Sequence, residues 1–343
     1  MTASTIEIDG TLGEGGGQIL RTSLALSLVT GRPFHLRHIR AKRPKPGLQP
    51  QHLQCVLAAS RIGNASIRGA SLGSTDLVFE PGPVVSGHYQ FHIGTAGATG
   101  LVLHTIYLPL ILSGQGPSEI TLTGGTHVKT SPTFPFLAGT WLAYLETMGL
   151  KVSLQLDRPG FFPRGGGIVQ AFLQPSQRIK ALTLGERQSA LVSGISAVAG
   201  LDGGIARRQA RRAQHQLGHA GQRVTIAEES WDGGPGTFLQ LRVDTGSIPA
   251  VFVALGERGK PAEKVADEAV QQVKEYLSSP ELVDAHSADQ LLLPLALAKG
   301  PSEYRTTQIT RHLTTNREVI GYFLDRPIYC EGAEGEPGRV RIC

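Results

Sequence analysis

The sequence predicts a mixed α+β, α/β protein of two domains: a large one assembled from three βαβ-type units, and a smaller α/β one inserted into it. Three observations carry that prediction. At 343 residues the chain exceeds what one ordinary core accommodates. Two segments, "LPLILSGQGPSEITLTGGTH" (108–127) and "LPLALAKGPSEYRTTQITRH" (293–312), repeat each other as apolar helix, Gly-Pro-Ser-Glu turn, threonine-rich strand and polar histidine-bearing loop. Between roughly 186 and 279 that rhythm breaks. The expected division is therefore 1–185 with 280–343 for the large domain and 186–279 for the insert.

In chain order, "TIEIDGTLGEGGGQILRTSLALSL" reads as strand, glycine-rich turn and helix. "LALSLVTGRPFHLRHIRAKRP" (24–44) then reads as a degraded copy of the repeat: helix, Gly-x-Pro turn, strand, polar loop. A second helix follows each polar loop: "QHLQCVLAASRIG", "FPFLAGTWLAYLETMG" and "NREVIGYFL". Each ends at glycine or at Asp-Arg-Pro, with a short strand beyond. The three loops "RAKRPKPG", "GGTHVKTSP" and "ITRHLTTN" could then converge at one place. The insert carries the helix "GGIARRQARRAQHQLG", the strands "QRVTIAEE" and "TFLQLRVDT" about the turn "WDGGPG", and the helix "KPAEKVADEAVQQVKEYL". Arg207, Arg208, Arg211 and Arg212 share a face of the first helix by i, i+4 spacing. That face is either a second nucleic-acid contact or a solvated surface, and both readings stay open.

Composition narrows the function classes. Hydrophobic content of 40% and charge of 18% fit a folded chain. The three cysteines, Cys55, Cys330 and Cys343, lack metal-ligand spacing, which argues against structural zinc and for a reducing compartment. No secretory pattern opens the chain, and the longest greasy run, "LVLHTIYLPLIL", is too short to span a bilayer. A cytoplasmic protein with no membrane partner is expected. From Gly15 to Thr75 nine cations and no acid occur, which leaves 24 cations against 28 acids elsewhere. Such a concentrated positive field suits a polyphosphate or nucleic-acid partner.

The glycine-rich turn before a helix is a phosphate-site candidate, because free N–H groups at a helix start attract anions. It is neither a P-loop nor a dinucleotide fingerprint, since Gln18 stands where the last glycine would be. Glu14, Gln18 and Arg21 fall on one face if the helix begins early. Glu14 could then hold a divalent cation, and Arg21 could grip phosphate oxygens. Arg40 and Arg43 lie in a loop stiffened by Pro44, Pro46 and Pro50, with Gln51 opening the next helix, and suit phosphate gripping. His312 is a candidate nucleophile. Imidazole has an ordinary pKa near ~6.5, so it is largely deprotonated at physiological pH, and attack on an activated phosphate gives a phosphoramidate. No Lys-x-Asp-Gly, Gly-x-Ser-x-Gly or His-Glu-x-x-His competes with it. Spacing alone does not separate His312 from an ordinary loop histidine.

Six blocks, "GEGGGQILRTSLALS", "IRAKRPKPGLQPQHL", "GGTHVKTSP", "GFFPRGGG", "HSADQLLLPLAL" and "TRHLTTN", together resemble the RNA 3′-terminal phosphate cyclases from about residue 6 to 330. The resemblance implies three βαβαββ-like repeats, similar to the enolpyruvyl transferases, with a small α/β insert. It implies ATP-dependent conversion of an RNA 3′-phosphate to a 2′,3′-cyclic phosphate through a covalent histidyl-AMP, with release of AMP and pyrophosphate. His312 would be the nucleophile and Glu14 the ligand of Mg²⁺ or Mn²⁺. Gln18, Arg21, Arg40, Arg43 and Gln51 would line the phosphate and RNA-end site. His104, Pro132, Phe252, His286, Ser287, Ala288, Asp289 and Gln290 would hold the ATP. The partner implied is RNA with a 3′-phosphate end, with no DNA-specific partner.

The chain departs from the family pattern at His104, where glutamine is frequent, and at His286, where a tyrosine often stacks on adenine. Pro135 replaces a common acidic residue, and Pro159 replaces Arg or His. The first two fall on the purine contacts, leaving the nucleophile and phosphate grip untouched. The competing class is a non-catalytic relative that binds RNA during ribosomal RNA processing. Such relatives lose the nucleophile and gripping side chains, whereas His312, Glu14, Arg21, Arg40 and Arg43 are all present here.

Overall fold

The computed structural model describes residues 4–343. Its first unit runs β1 (Ile6–Asp9), α1 (Gly17–Thr30), β2 (Phe34–Arg37), α2 (Pro50–Ile62), β3 (Ser66–Arg68) and β4 (Leu77–Glu80). The sheet order is β1-β2-β4-β3, with β1 parallel to β2 and the other pairs antiparallel. The second unit repeats the sequence of elements: β5 (His88–His92), α3 (Thr99–Ser113), β6 (Ser118–Gly124), a composite helix, β7 (Val152–Arg158) and β8 (Gly167–Leu173). Its order, β5-β6-β8-β7, has the same parallel and antiparallel pattern. The composite helix joins α4 (Phe134–Phe136), a π turn (Leu137–Trp141) and α5 (Leu142–Thr147).

The third unit comprises α8 (Ala285–Ala296), β13 (Ser302–Thr306), α9 (Arg311–Phe323), β14 (Ile328–Glu331) and β15 (Gly338–Ile342), in the order β13-β15-β14. A single parallel bridge from Val283 to Thr306 stands where the other two units have a full first strand. Two complete βαβαββ units and a third with a vestigial first strand therefore form the large body.

The helices explain why the units cohere. α3 buries side chains all round, from Val102 and Leu103 to Leu110 and Ile111, as a helix enclosed by protein does. It packs against α1 and α2, and α1 packs against α9. One continuous apolar cluster thus joins residues of all three units, from Leu24 through Leu103 and Leu292 to Ile320. Truncating Leu103, which is fully buried, to alanine removes packing worth ~2–5 kcal/mol.

The remaining segment contributes a fourth sheet, β10-β9-β11-β12, from β9 (Leu191–Ala199), β10 (Val224–Trp231), β11 (Gly236–Asp244) and β12 (Ala250–Leu255). Helices α6 (Gly204–His219) and α7 (Ala262–Ser278) cover it around an apolar cluster of its own. Strands β9 and β12 add to the two strands read from the sequence. Three of the four α6 arginines, all of them exposed, pair with carboxylates: Arg207 with Glu228 at 3.5 Å, Arg208 with Glu263 at 3.6 Å and Arg212 with Asp267 at 2.8 Å. No helix among the described residues is long and apolar enough to cross a membrane.

The acid-free run does not fold into one positive face. Arg32 donates to the carbonyls of Tyr322 and Phe323 at 3.1 and 3.0 Å, capping the end of α9. Arg37 pairs with Glu7, Arg68 with Glu80, and Arg61 lies over the rings of Tyr89 and Phe91. Sequence adjacency concentrates the charges, and the different elements that carry them, the α1–β2 turn, β2, α2 and β3, send them to different sides. Arg21, Arg40, Lys42 and Arg43 are the part that gathers near Glu14.

Candidate active site

The glycine-rich turn leaves β1 and enters α1 through two left-handed residues, Gly13 (φ 50°) and Gly15 (φ 59°). A Cβ on Gly13 would lie 1.9 Å from Thr315 Oγ1 of α9, so only glycine lets the turn approach that helix. The same bends stop the helix from starting early. Glu14 precedes α1 rather than sharing its face, which corrects the helical-row expectation. Glu14, Gln18 and Arg21 nevertheless line one cavity.

His312 lies in the first turn of α9, not in a loop. Thr310 caps that helix, its Oγ1 accepting the Leu313 N–H at 3.0 Å. The imidazole Nδ1 is 2.7 Å from Glu14 Oε1, and Arg43 Nη2 donates to Glu14 Oε2, also at 2.7 Å. A carboxylate only accepts, so Nδ1 carries the proton and Nε2 presents its lone pair. One turn further along α9, Asn316 accepts from Thr22 Oγ1 at 2.7 Å and donates to the Asp289 carbonyl at 3.1 Å. It ties α9 to α1 and α8, and so holds the histidine-bearing helix against the glycine turn.

Arg21 projects from α1 into the cavity. Burial lowers its pKa, opposed by nearby Cys55 and Asp289. His52 sits against it, closely enough that a Cβ on Gly17 would meet His52 Nε2 at 2.3 Å and Arg21 Nη1 at 3.1 Å. His52 Nδ1 accepts the Gln49 N–H at 3.3 Å in a reciprocal cap of α2, leaving the proton on Nε2. Burial, then Arg21 and Arg40, push its pKa down to about 3, so the ring stays neutral. Arg40 occupies a left-handed position (φ 56°) and donates Nη1 to the carbonyls of Lys45 and, at 3.1 Å, Gly47, closing its own loop. Lys42 Nζ donates to the Gly13 carbonyl at 2.9 Å. Gln51 Oε1 accepts the Ala98 N–H at 3.2 Å, joining this side to the second unit.

Beyond Arg21 opens a cavity of about 680 Å³ lined by His104, Pro132, Phe252, His286, Asp289 and Gln290, with Trp141 at its wall. Its size is that of a small-molecule site. His104 packs on Trp141, ring centroids 4.9 Å apart. Burial and Arg21 lower its pKa to about 3, and its Nε2 is buried without a protein partner. Gln290 Oε1 is buried and unpartnered as well. Both atoms are closed off from the open part of the cavity, so a ligand reaches them only when the side chains around them turn. Burial, then Asp284, raise the Asp289 carboxyl to about 7.

Ser287 and Ala288 depart from the expectation for a nucleotide wall. Both are buried and neither lines the cavity. Ser287 bonds the Asp284 cap of α8, and the Ala288 carbonyl accepts the Tyr304 hydroxyl at 2.6 Å. They occupy the core-facing side of the helix whose other side presents His286, Asp289 and Gln290. Arg40, Arg43 and Gln51 also lie outside the cavity lining, on the glycine-turn side. Sequence reasoning missed His52, Thr315 and Asn316. The i, i+4 spacing of His312 and Asn316 was the available signal for the last of these, once α9 is started at Arg311.

Among the described residues no three His, Cys, Asp or Glu side chains form a metal-holding group. Glu14 is the carboxylate nearest His312, and both its oxygens are engaged, Oε1 by His312 Nδ1 and Oε2 by Arg43 Nη2, so a cation held there would share them.

Residues 12–330 match the RNA 3′-terminal phosphate cyclase family. The protein of that name from Koribacter versatilis is 44% identical over 96% of this chain and 92% of its own length. Those from Ectopseudomonas mendocina and Archaeoglobus fulgidus are 41% and 42% identical, over 100% and 95% of this chain and 99% and 98% of theirs. An EPSP synthase structure from Acinetobacter baumannii aligns with 99% of this chain and 65% of that one, at 12% identity and a TM-score of 0.29, too weak a likeness to bear on the fold. The sequence relatives are long, full-length and numerous, and the chain belongs to the RNA 3′-terminal phosphate cyclase family.

Proposed function

We propose that this chain converts the 3′-terminal phosphate of RNA to a 2′,3′-cyclic phosphate at the expense of ATP, with His312 as the carrier of AMP. The observation that supports this reading above all is the Arg43–Glu14–His312 line, which fixes the imidazole tautomer and leaves Nε2 bare. In the first step Nε2 bonds to the α-phosphorus, the bond to the β-phosphate oxygen breaks, and pyrophosphate leaves. Glu14 stabilises the positive charge that develops on the ring. In the second step an oxygen of the RNA 3′-phosphate displaces the imidazole and takes the adenylyl group. The 2′-hydroxyl then attacks the RNA phosphorus, its proton passes to solvent, and AMP departs. Nucleophile and phosphorus share one ribose, so ring closure benefits from proximity.

Gln18 and Arg21 would orient the phosphates of ATP beside His312. Arg40, Arg43 and Gln51 would receive the RNA end on the glycine-turn side. Pro132, Phe252 and His286 would flank the base, with His104, Asp289 and Gln290 lining the same cavity. A Mg²⁺ or Mn²⁺ ion held by Glu14 would neutralise charge on the phosphate oxygens. Residues 186–279 would form an inserted domain, and its β12 lines one wall of the cavity.

Incubation with α-labelled ATP and Mg²⁺ or Mn²⁺ tests the reading. The wild-type chain should take up label in an acid-labile, alkali-stable bond, and His312→Ala should not. Label on the variant would place the nucleophile elsewhere. No label on either would favour the non-catalytic RNA-binding alternative.

A further inference from the structure

Phe162 is 78% exposed, the most exposed large hydrophobic side chain among the described residues. A single exposed apolar residue is ordinary. This one differs because the loop that carries it is anchored on every side. Its neighbour Phe161 is buried and stacks on His127, with centroids 5.0 Å apart and planes at 25°. On its other side a Cβ added to Gly236 would lie 2.1 Å from the Phe161 ring. The Gly160 N–H donates to Thr126 Oγ1 at 2.8 Å, and the Gly160 carbonyl accepts the His127 N–H at 3.0 Å. The Gly165 N–H closes the turn onto the Phe161 carbonyl at 2.7 Å, and Arg158 Nε braces it through the Gly166 carbonyl, also at 2.7 Å. A flexible tip would lose entropy on binding, whereas this one is already ordered.

Position and charge indicate the occupant. On one flank the loop is bonded to residues 126–127, and Val128 to Thr133 directly beyond line the ATP-sized cavity. On the other flank, Gly165 packs so tightly that a Cβ would lie 2.7 Å from the Thr95 carbonyl oxygen, and Ala98 of that same loop is bonded to Gln51. Phe162 therefore stands at the rim between the cavity wall and the side that receives the RNA end. Residues 159–168 contain no Asp or Glu, and Arg164, next but one to Phe162, is exposed. An ordered aromatic face beside an exposed cation is what single-stranded nucleic acid uses: bases stack on the ring while the guanidinium meets a backbone phosphate.

We propose that Phe162 and Arg164 form a landing platform for the RNA strand on the 5′ side of the terminal phosphate, one base stacking on Phe162. The inference rests on the RNA-end cyclase reading, and its test separates the two. A ladder of 3′-phosphate-ended RNAs, from a dinucleotide to about ten nucleotides, is cyclised by wild type, Phe162→Ala, Phe162→Trp and Arg164→Ala. His312 labelling from ATP alone is measured in parallel. Phe162→Ala should raise KM about tenfold for the longer RNAs, consistent with the loss of one stacked base. It should leave the dinucleotide and the ATP labelling unchanged. Phe162→Trp should restore the longer substrates, and Arg164→Ala should reduce the salt dependence of binding by about one phosphate contact. Normal labelling with a Phe162→Ala KM equal to that of wild type at every length overturns the platform alone, as does an equal loss at every length. A wild-type chain that neither labels nor cyclises overturns the parent reading instead.

Discussion

Glu14 and His312 stand 298 positions apart in the chain, yet Glu14 Oε1 lies 2.7 Å from His312 Nδ1. The contact joins the first unit to the third. It couples the turn that would receive phosphates to the ring whose other nitrogen, Nε2, would attack one. Glu14→Gln retains an oxygen for Nδ1 but removes the charge opposite the ring. Single-turnover labelling of His312 should slow by up to roughly 10⁴-fold, as when a catalytic imidazole loses its orienting carboxylate. Labelling of the variant at the wild-type rate across pH would sever Glu14 from the chemistry.

Gly13 should tolerate no side chain. Gly13→Ala pushes a methyl to 1.9 Å from Thr315 Oγ1 and forces φ 50° on a residue that resists it at ~1–2 kcal/mol. Glu14 is the next residue, so labelling should fall together with the midpoint of thermal unfolding. Adding Thr315→Ala opens the space without relieving the backbone, and so should recover part of the loss. Full recovery would make the backbone conformation irrelevant, and none would make the steric contact so.

Much of this arrangement is legible in the sequence. The repeated Gly-Pro-Ser-Glu turns mark the crossings into β6 and β13, and the helices after the first two polar loops, α2 and the composite helix, appear where their periodicity put them. What escaped has physical causes. The start of α9 is hidden because threonines, asparagine and histidine are indifferent helix formers, and the Thr310 cap overrides them. Strand β9 is interrupted by Gly194, and a glycine inside a strand weakens the local signal. Ser287 and Ala288 sit within a matching motif, but a motif is linear and a helix has two sides. The dispersal of Arg32, Arg37, Arg61 and Arg68 required knowing which carbonyls and carboxylates the fold brings to them.

The two groups of arginines should separate by salt dependence. Arg208 and Arg212 face carboxylates of α7, whereas Arg40 is held only by carbonyls of its own loop. Arg40→Ala should weaken use of phosphate-ended RNA and flatten its log–log dependence on salt by about one unit. Arg208→Gln and Arg212→Gln should leave that slope in place. A flattened slope in the α6 variants would make the inserted helix an RNA contact after all.

Stability should fall as pH drops from 6.5 towards 5, before most carboxylates titrate. His52, His104 and His127 are held neutral, each with its pKa pushed down to about 3 chiefly by burial. Between about 6.5 and 3 the unfolded chain takes up three protons that the folded chain refuses, each worth ~1.4 kcal/mol per pH unit. Asp289 acts in the opposite sense. Its folded carboxyl, raised to about 7, stays protonated where the unfolded one ionises above the ordinary 3.8, so its contribution grows as pH falls. Three groups against one leave a net uptake of about two protons on unfolding, or roughly 3 kcal/mol per pH unit at most. Denaturant midpoints measured without nucleotide at pH 6.5, 6.0, 5.5 and 5.0 give the slope directly. His104→Gln replaces a titrating ring with an amide and should make that slope shallower by about one proton. A wild-type midpoint constant over the range, or a variant slope equal to the wild type, would mean that these rings accept protons in the folded state.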